Sequence, residues 1–235
     1  MDPSASALLE EFLSVAIHLI LYTRQVYAPE IFERRRFLDV TVFRSRHVEL
    51  NDHIALVADG ARALLERGEA DKLVLTIFGA PREGGPRATL ECFLFELRRH
   101  DQAAIAVDME ALRTQLRGFL LKLHACDALL SPLPEDVDLT FACELHTAPT
   151  RSLEPLPVAL LERWTECDTQ QQPGHSMGTC AGVGAPSAGG APTGAPLGSS
   201  ACRGGGSSNT SSIGSMVPLK SLSVSGLTLA LSVVH

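Results

Sequence analysis

Two short spacings in this 235-residue chain put histidine near cysteine, His124-x-Cys126 and Cys143-x-x-His146, and imidazole with thiolate is a donor set that zinc takes. Neither spacing lets its pair converge. Positions i and i+2 of a helix point about 200° apart, and positions an odd number apart on a strand face opposite sides. A phosphate cradle fares no better. Gly79 to Gly84 carries part of the spacing, but Gly85 stands where lysine is required, and the turn joins two apolar runs instead of a strand and a helix. Cys126-Asp127 with His124 would lie in one helix, which cannot bring a base onto a neighbouring thiol. Glu135, Asp136 and Asp138 crowd a turn, where carboxylates are ordinarily solvated. The residues therefore predict no catalytic centre, no metal and no cofactor. They predict a protein that binds.

The elements that would carry such binding follow from periodicity. Asp2-Pro3 is an N-cap followed by a proline suited to the first helical position. Leu8, Leu9, Phe12, Val15, Ala16, Leu19, Ile20 and Val26 share one face at helical spacing, which predicts a helix from Ser4 to Tyr27 that stops at Ala28-Pro29. A short strand is expected from Leu38 to Arg44. A second helix from Asn51 to Arg67 would bury Ile54, Val57, Ala61, Leu64 and Leu65, with Gly68 just past its end. Apolar runs at Lys72–Phe78 and Thr89–Leu97 flank a loop rich in proline and glycine and read as a hairpin. Asp108 caps a third helix through Leu130, with Met109, Leu112, Leu116, Phe119, Leu120 and Leu123 inward, and a strand spans Val137–His146. Helices and strands do not alternate βαβα, so the fold class is an α+β layer.

Composition bounds the rest. With 27 acidic and 20 basic side chains the net charge is −7, which argues against a protein that grips nucleic acid over its whole surface. Arg34-Arg35-Arg36 and Arg98-Arg99-His100 are local basic runs of the kind usual on solvated faces. The apolar run Val15–Tyr22 is short, is interrupted by His18 and follows Glu10-Glu11, so neither a membrane span nor a secretory signal is expected. Six cysteines without a CxxC spacing then read as reduced thiols, and Cys92, Cys126 and Cys143 as small hydrophobes in apolar runs.

The charge is unevenly spread. Of the 48 residues from Asp168 to Ser215, 35 are Gly, Ser, Ala, Pro or Thr, and Asp168 and Arg203 alone are charged. Such a segment cannot bury enough apolar surface to offset its ordering entropy and is expected to be disordered. The chain thus divides into a core over 1–167, an insertion over 168–215 and C-terminal strands over 216–235. Leu227, Leu229, Leu231 and Val233 alternate as on a strand, and a strand in that position has to dock on the domain, so the C-terminus is expected to wrap back onto it. Trp164, the single tryptophan, stands at the end of a proline-interrupted segment, Pro155–Thr165, and is the strongest candidate for a ligand anchor, with a core plug as its other reading.

The run from Glu11 to Tyr27, followed by Ile31-Phe32-Glu33-Arg34-Arg35, resembles the first helix of the HORMA-domain family. Val48-Glu49-Leu50-Asn51, Leu116 to Lys122 with Cys126-Asp127-Ala128, and Val217-Pro218-Leu219-Lys220 agree with it. The string His18 to Tyr22 and the Pro-Leu-Lys element are most similar to the branch that serves translesion DNA polymerase zeta as a non-catalytic accessory subunit. The resemblance spans roughly residues 8–166 and 216–234. It implies three helices on an antiparallel sheet and a C-terminal safety belt that closes over a short proline-containing peptide. The peptide would add to a sheet edge, apolar pockets would select its side chains, and belt opening would limit its release.

Carried onto this chain, the resemblance implies a pocket of His53, Val57 and Trp164 for a peptide of the polymerase catalytic subunit, with His53 standing where the family usually has tyrosine. A second face, for the translesion scaffold polymerase, would comprise Met216, Pro218, Ala230 and Ser232. There the family's glutamine and tyrosine give way to Ala230 and Ser232, which removes hydrogen bonds and aromatic area. A self-association face for a homodimer would comprise Arg117, Lys122 and Ala128. The implied setting is nuclear, in DNA damage tolerance, without direct contact to nucleic acid or membrane. The rival readings are a spindle-checkpoint or chromosome-axis HORMA protein, a cysteine- or metal-dependent enzyme, and a degraded paralogue. Relatives connect the tryptophan and the Pro-Leu-Lys element by a much shorter loop. Closure entropy grows logarithmically, so a fourfold longer loop costs roughly 1.2 kcal/mol, and trimming Gly174–Gly214 should leave peptide binding intact or slightly stronger.

Overall fold

The computed structural model describes residues 2–82, 85–99, 107–147, 164–167, 180–184, 216–224 and 227–235. Its first helix, α1 (Pro3–Thr23), starts where the cap predicts: the Asp2 carboxylate accepts the Ser4 amide at 2.8 Å. It ends four residues early because the chain turns at Gln25, which takes φ +51°, and Arg24 leaves the helix for a buried ion pair. By length and composition α1 could cross a membrane, but two thirds of its most apolar stretch is buried inside the protein.

A hairpin follows, β1 (Phe32–Phe37) and β2 (Val40–Ser45), turned by Leu38 and Asp39, both at positive φ. The sequence reading had one strand here. Glu33-Arg34-Arg35-Arg36 lacks apolar alternation because most of β1 faces solvent, and its pairing with β2 supplies the order. Helix α2 (Val48–Arg67) begins three residues sooner than expected and ends at Gly68 in the left-handed conformation, φ +74°, where a Cβ would be strained. Strands β3 (Ala70–Pro81) and β4 (Ala88–Arg99) form the expected hairpin. Helix α3 (Met109–Ala125) is capped by Asp108, which accepts the amides of Glu110 and Ala111, and its predicted last turn tightens into a 3₁₀ turn, Cys126–Ala128. Strand β5 (Val137–Thr147) runs antiparallel to β3.

The C-terminus wraps back, as the alternation of Leu227 to Val233 implies. Strands β8 (Met216–Val224) and β9 (Leu227–Val234) form a hairpin whose second strand pairs antiparallel with β4. Between β5 and β8 the structure describes two further strands, β6 (Thr165–Cys167) and β7 (Cys180–Gly184), which gives the sheet order β6-β7-β5-β3-β4-β9-β8. Strand β7 departs from the expectation for 168–215. Cys180-Ala-Gly-Val-Gly184 has no strand pattern of its own, and its order comes from main-chain pairing with both neighbours. The rest of that insertion, and Pro155–Arg163, lie outside the described residues.

The three helices cover one face of the sheet. Phe93, Phe95 and Leu97 of β4, Leu229 and Val233 of β9, and Phe12, Phe119 and Leu123 of the helices are fully buried, with Phe12 edge-on to Phe119 at 5.9 Å. One charged group crosses this core. Arg24 donates to both carboxylate oxygens of Glu91, at 2.9 and 2.6 Å, to the Ser131 carbonyl at 2.6 Å, and to Asp127. Arg24 and Glu91 are both buried, so removing Arg24 would leave the Glu91 carboxylate uncompensated, at about 3–5 kcal/mol. The pair fixes the end of α1 against β4 and the turn after α3.

Candidate functional site

Helix α2 lies along the inner face of β5, and the seam between them holds the predicted pocket residues. His53, Val57 and Gly60 recur at i, i+4 and i+7 and therefore form one stripe. Phe141, Cys143 and Leu145 alternate on β5 and are all buried. At one end His53 stands edge-on to Phe141, with centroids 5.6 Å apart, and Tyr27 meets the same ring at 6.2 Å. At the other end the indole of Trp164 lies against α2: a Cβ placed on Gly60 would sit 3.1 Å from Trp164 Cζ2 and 3.2 Å from Leu145 Cδ1. The structure thus brings His53, Val57 and Trp164 to one seam.

That seam has an unfilled hydrogen-bonding demand. His53 is 9% exposed and Trp164 8%, and neither His53 Nε2 nor Trp164 Nε1 has a partner among the described residues. An unpaired buried donor costs about 1–3 kcal/mol, so natural proteins seldom leave one without a reason. Burial also holds the His53 imidazole below its ordinary pKa, so the ring is neutral. A main-chain carbonyl delivered to the indole would satisfy it, and a neutral imidazole can accept or donate as its tautomer requires.

Sequence reasoning missed Gly60, Phe141 and Leu145 as parts of this seam. The signal for Gly60 was there. Glycine inside a helix is unfavourable relative to alanine by up to about 1 kcal/mol and marks a close approach, here the indole face.

Beside the seam the outer edge of β5 is covered. Strand β7 pairs antiparallel with β5, with Ala142 opposite Gly184, Glu144 opposite Gly182 and His146 opposite Cys180. Strand β6 then pairs with the far side of β7, Thr165 opposite Gly182 and Cys167 opposite Cys180. Although β6 directly follows Trp164 in sequence, it stands one strand away from β5.

The four residues expected on a second face lie on β8 and β9. Pro218 is directly opposite Ser232, and Met216, 60% exposed, is opposite Val234. Ala230 lies between Glu96 of β4 and Ser221 of β8. All four residues point outward, while Leu219 and Leu222 turn inward and the Lys220 ammonium reaches the Phe119 ring at 5.7 Å. Ala230 and Ser232 offer little side-chain area there. Arg117 and Lys122 are exposed on α3 and Ala128 on the turn behind it, together with the half-exposed Leu121 and Leu129.

Among the described residues, no three His, Cys, Asp or Glu side chains converge as a metal site would require. Burial raises the thiols of Cys92 and Cys143, and that of Cys126 to about 11, so all three are protonated at neutral pH. Gly174-His175-Ser176-Met177-Gly178 has the spacing of a nucleophile elbow. It lies outside the described residues, and β7, a strand, follows where that motif needs a helix.

Helices packed on one face of a sheet whose two flanks are both closed by the C-terminal third of the chain define a HORMA domain, and residues 5–150 match that family's model. The chain belongs to the HORMA-domain family. Its relatives include proteins named mitotic spindle assembly checkpoint protein MAD2B, from Rattus norvegicus at 35% identity over 164 residues (69% of this chain and 75% of that one) and from Homo sapiens at 35% over 162 (68% and 74%). The DNA polymerase zeta processivity subunit of Arabidopsis thaliana is 34% identical over 164 residues, 69% of this chain and 72% of that one. Among solved structures, a chain of the mitotic checkpoint complex superposes with a TM-score of 0.66 at 17% identity, covering 99% of this chain and 98% of that one. C. elegans HTP-2 bound to the HIM-3 closure motif superposes at 0.60 and 12%, covering 100% and 91%. These two likenesses are of fold.

Proposed function

We propose that this chain is a non-catalytic adaptor that clamps a short peptide of the DNA polymerase zeta catalytic subunit along the outer edge of β5, beneath its C-terminal belt. The carrying observation is the pair of buried, unpartnered nitrogens, His53 Nε2 and Trp164 Nε1, in the seam beside a sheet edge that accepts an added strand. Main-chain pairing with β5 would supply affinity without regard to sequence, and the α2–β5 seam would supply selectivity. The relative named as a polymerase zeta processivity subunit supports the choice of partner. Met216, Pro218, Ala230 and Ser232 would form a second docking surface for a translesion scaffold polymerase, weakened by the two small residues. Arg117, Lys122 and Ala128 would contribute to self-association. The work would take place in the nucleus, in tolerance of DNA damage.

A second reading is a spindle-checkpoint adaptor, favoured by the name carried by the rat and human relatives. The two readings differ in which peptide is retained. Calorimetric titration of the full chain with a proline-containing peptide of the polymerase catalytic subunit should show saturable binding that Trp164→Ala weakens roughly 30-fold. Binding of a checkpoint-protein peptide in its place would select the second reading. The absence of binding heat with either peptide would remove both.

A further inference from the structure

In chain order β5 comes first, then β6, then β7, yet in the sheet β7 lies between the other two. The belt strand β6 therefore stands off from β5 by the width of one strand, and that slot is filled by residues drawn from the first half of the glycine-rich insertion. We propose that Cys180–Gly184 is a ligand mimic carried in cis: it occupies the β5 edge in the free protein, and a partner peptide must displace it to bind. The inference rests on the clamp reading given above and adds to it a competitor built into the chain.

Three observations carry it. First, the pairing is that of a bound strand: β7 runs antiparallel to β5 over residues 180–184 and to β6 over residues 180–182, and so joins the two into one sheet. Second, the occupant is a weak one. Two of its five residues, Gly182 and Gly184, are glycines, which lose the most freedom on ordering and contribute no side chain to the sheet. The strands that flank the rest of the sheet are eight residues or longer. Third, it is tethered. Twelve residues, 168–179, link it to β6, and a tether of that length holds a segment at an effective concentration on the order of millimolar. A weak strand at that concentration can hold the edge and still yield to a peptide that also fills the seam with side chains. Among the described residues, β7 included, neither Trp164 Nε1 nor His53 Nε2 has a partner, so the mimic covers the edge without meeting the seam's polar demand.

The apparent affinity of a site for its ligand falls by the fraction of molecules in which the site is free. An occupant that holds the edge in nine molecules of ten would weaken peptide binding about tenfold. The test uses the full chain and Gly182→Pro, which removes a ladder amide and fixes φ in a strand paired on both sides. A second variant replaces 177–187 with Gly-Ser residues of the same number, so that tether length is unchanged. Hydrogen exchange without peptide should show slow amides in Ala142–His146 and Thr165–Cys167, faster in both variants, with β3 and β9 unchanged. Calorimetry should then show the polymerase peptide binding about tenfold more tightly to the variants. Fast exchange at 142–146 in the natural chain, or equal protection in all three, overturns the occupancy. Protection lost with affinity unchanged or reduced overturns the competition. Protection lost with no peptide binding by any chain overturns the clamp reading and the competition with it, and leaves the cis strand established.

Discussion

The two flanks of the sheet are closed by the same stretch of chain in opposite ways. On the β4 side, β9 pairs along eight residues, and Leu227, Leu229, Leu231 and Val233 all turn into the core. Leu219 and Leu222 of β8 join them, and the Lys220 stem lies across Gly118 of α3. On the β5 side the covering strand has five residues, two of them glycine, and the outermost strand has three. One flank is part of the core and the other rests on it. A fold that has to exchange a strand needs this asymmetry, because the flank that stays must hold the domain together while the other is vacated.

The comparison can be broken most severely at Leu229. Truncation to alanine at this fully buried position should lower stability by about 3 kcal/mol, seen as a lower urea midpoint with an unchanged slope. If the loss is under 1 kcal/mol, the β4 flank is no firmer than the other. Next in size, Trp164→Ala should weaken peptide binding by about 2 kcal/mol or more, roughly 30-fold, while shifting the urea midpoint less than Leu229→Ala does. A smaller effect is expected at Gly60. Its alanine variant pushes a methyl into the indole, and the helix propensity it gains offsets part of that cost, so stability should fall by about 1 kcal/mol or less and peptide affinity with it. Tryptophan fluorescence would show the displaced ring.

Acid offers the finest separation of the flanks. Burial depresses the His53 pKa from its ordinary 6.5, so the unfolded chain takes up the proton first as pH falls. The stability tied to the neutral ring is fully present above pH 6.5 and is lost on going down through the depressed value. Buried His18, lowered chiefly by desolvation, acts in the same direction. Urea midpoints at pH 7.5 and 5.5 should therefore differ, and His53→Tyr should narrow the difference without closing it. An unchanged difference would mean that His53 is already charged in the folded protein.

Much of the firm flank was legible in the sequence, and little of the other. Alternation from Leu227 to Val233 reveals a strand because one face is buried, and the caps at Asp2, Asp108 and Gly68 mark helix ends through side-chain chemistry that is local. Strands β1 and β7 escaped for a shared reason. Neither presents alternating apolar residues, so their order resides in a partner's main chain, which no periodicity records. The seam was half legible. His53, Val57 and Trp164 came from resemblance, whereas Gly60, Phe141 and Leu145 needed the observed packing of α2 on β5 to be recognised.

The sheet's outer rims bear on how the protein behaves when concentrated. Strand β8 forms one rim and carries Pro218, with a register shift between Pro218 and Lys220, and both features deny a neighbouring molecule a straight ladder to join. At the other rim β6 is three residues long, too short to recruit a passing strand. Between them β7 shields residues 142–146 of β5, which include Cys143 and Leu145. A molecule that has not yet met its partner is thereby spared an open, apolar strand edge, the commonest template for aggregation. On the proposal made above, Cys180–Gly184 would serve in this way as a cover for the β5 edge until a partner arrives.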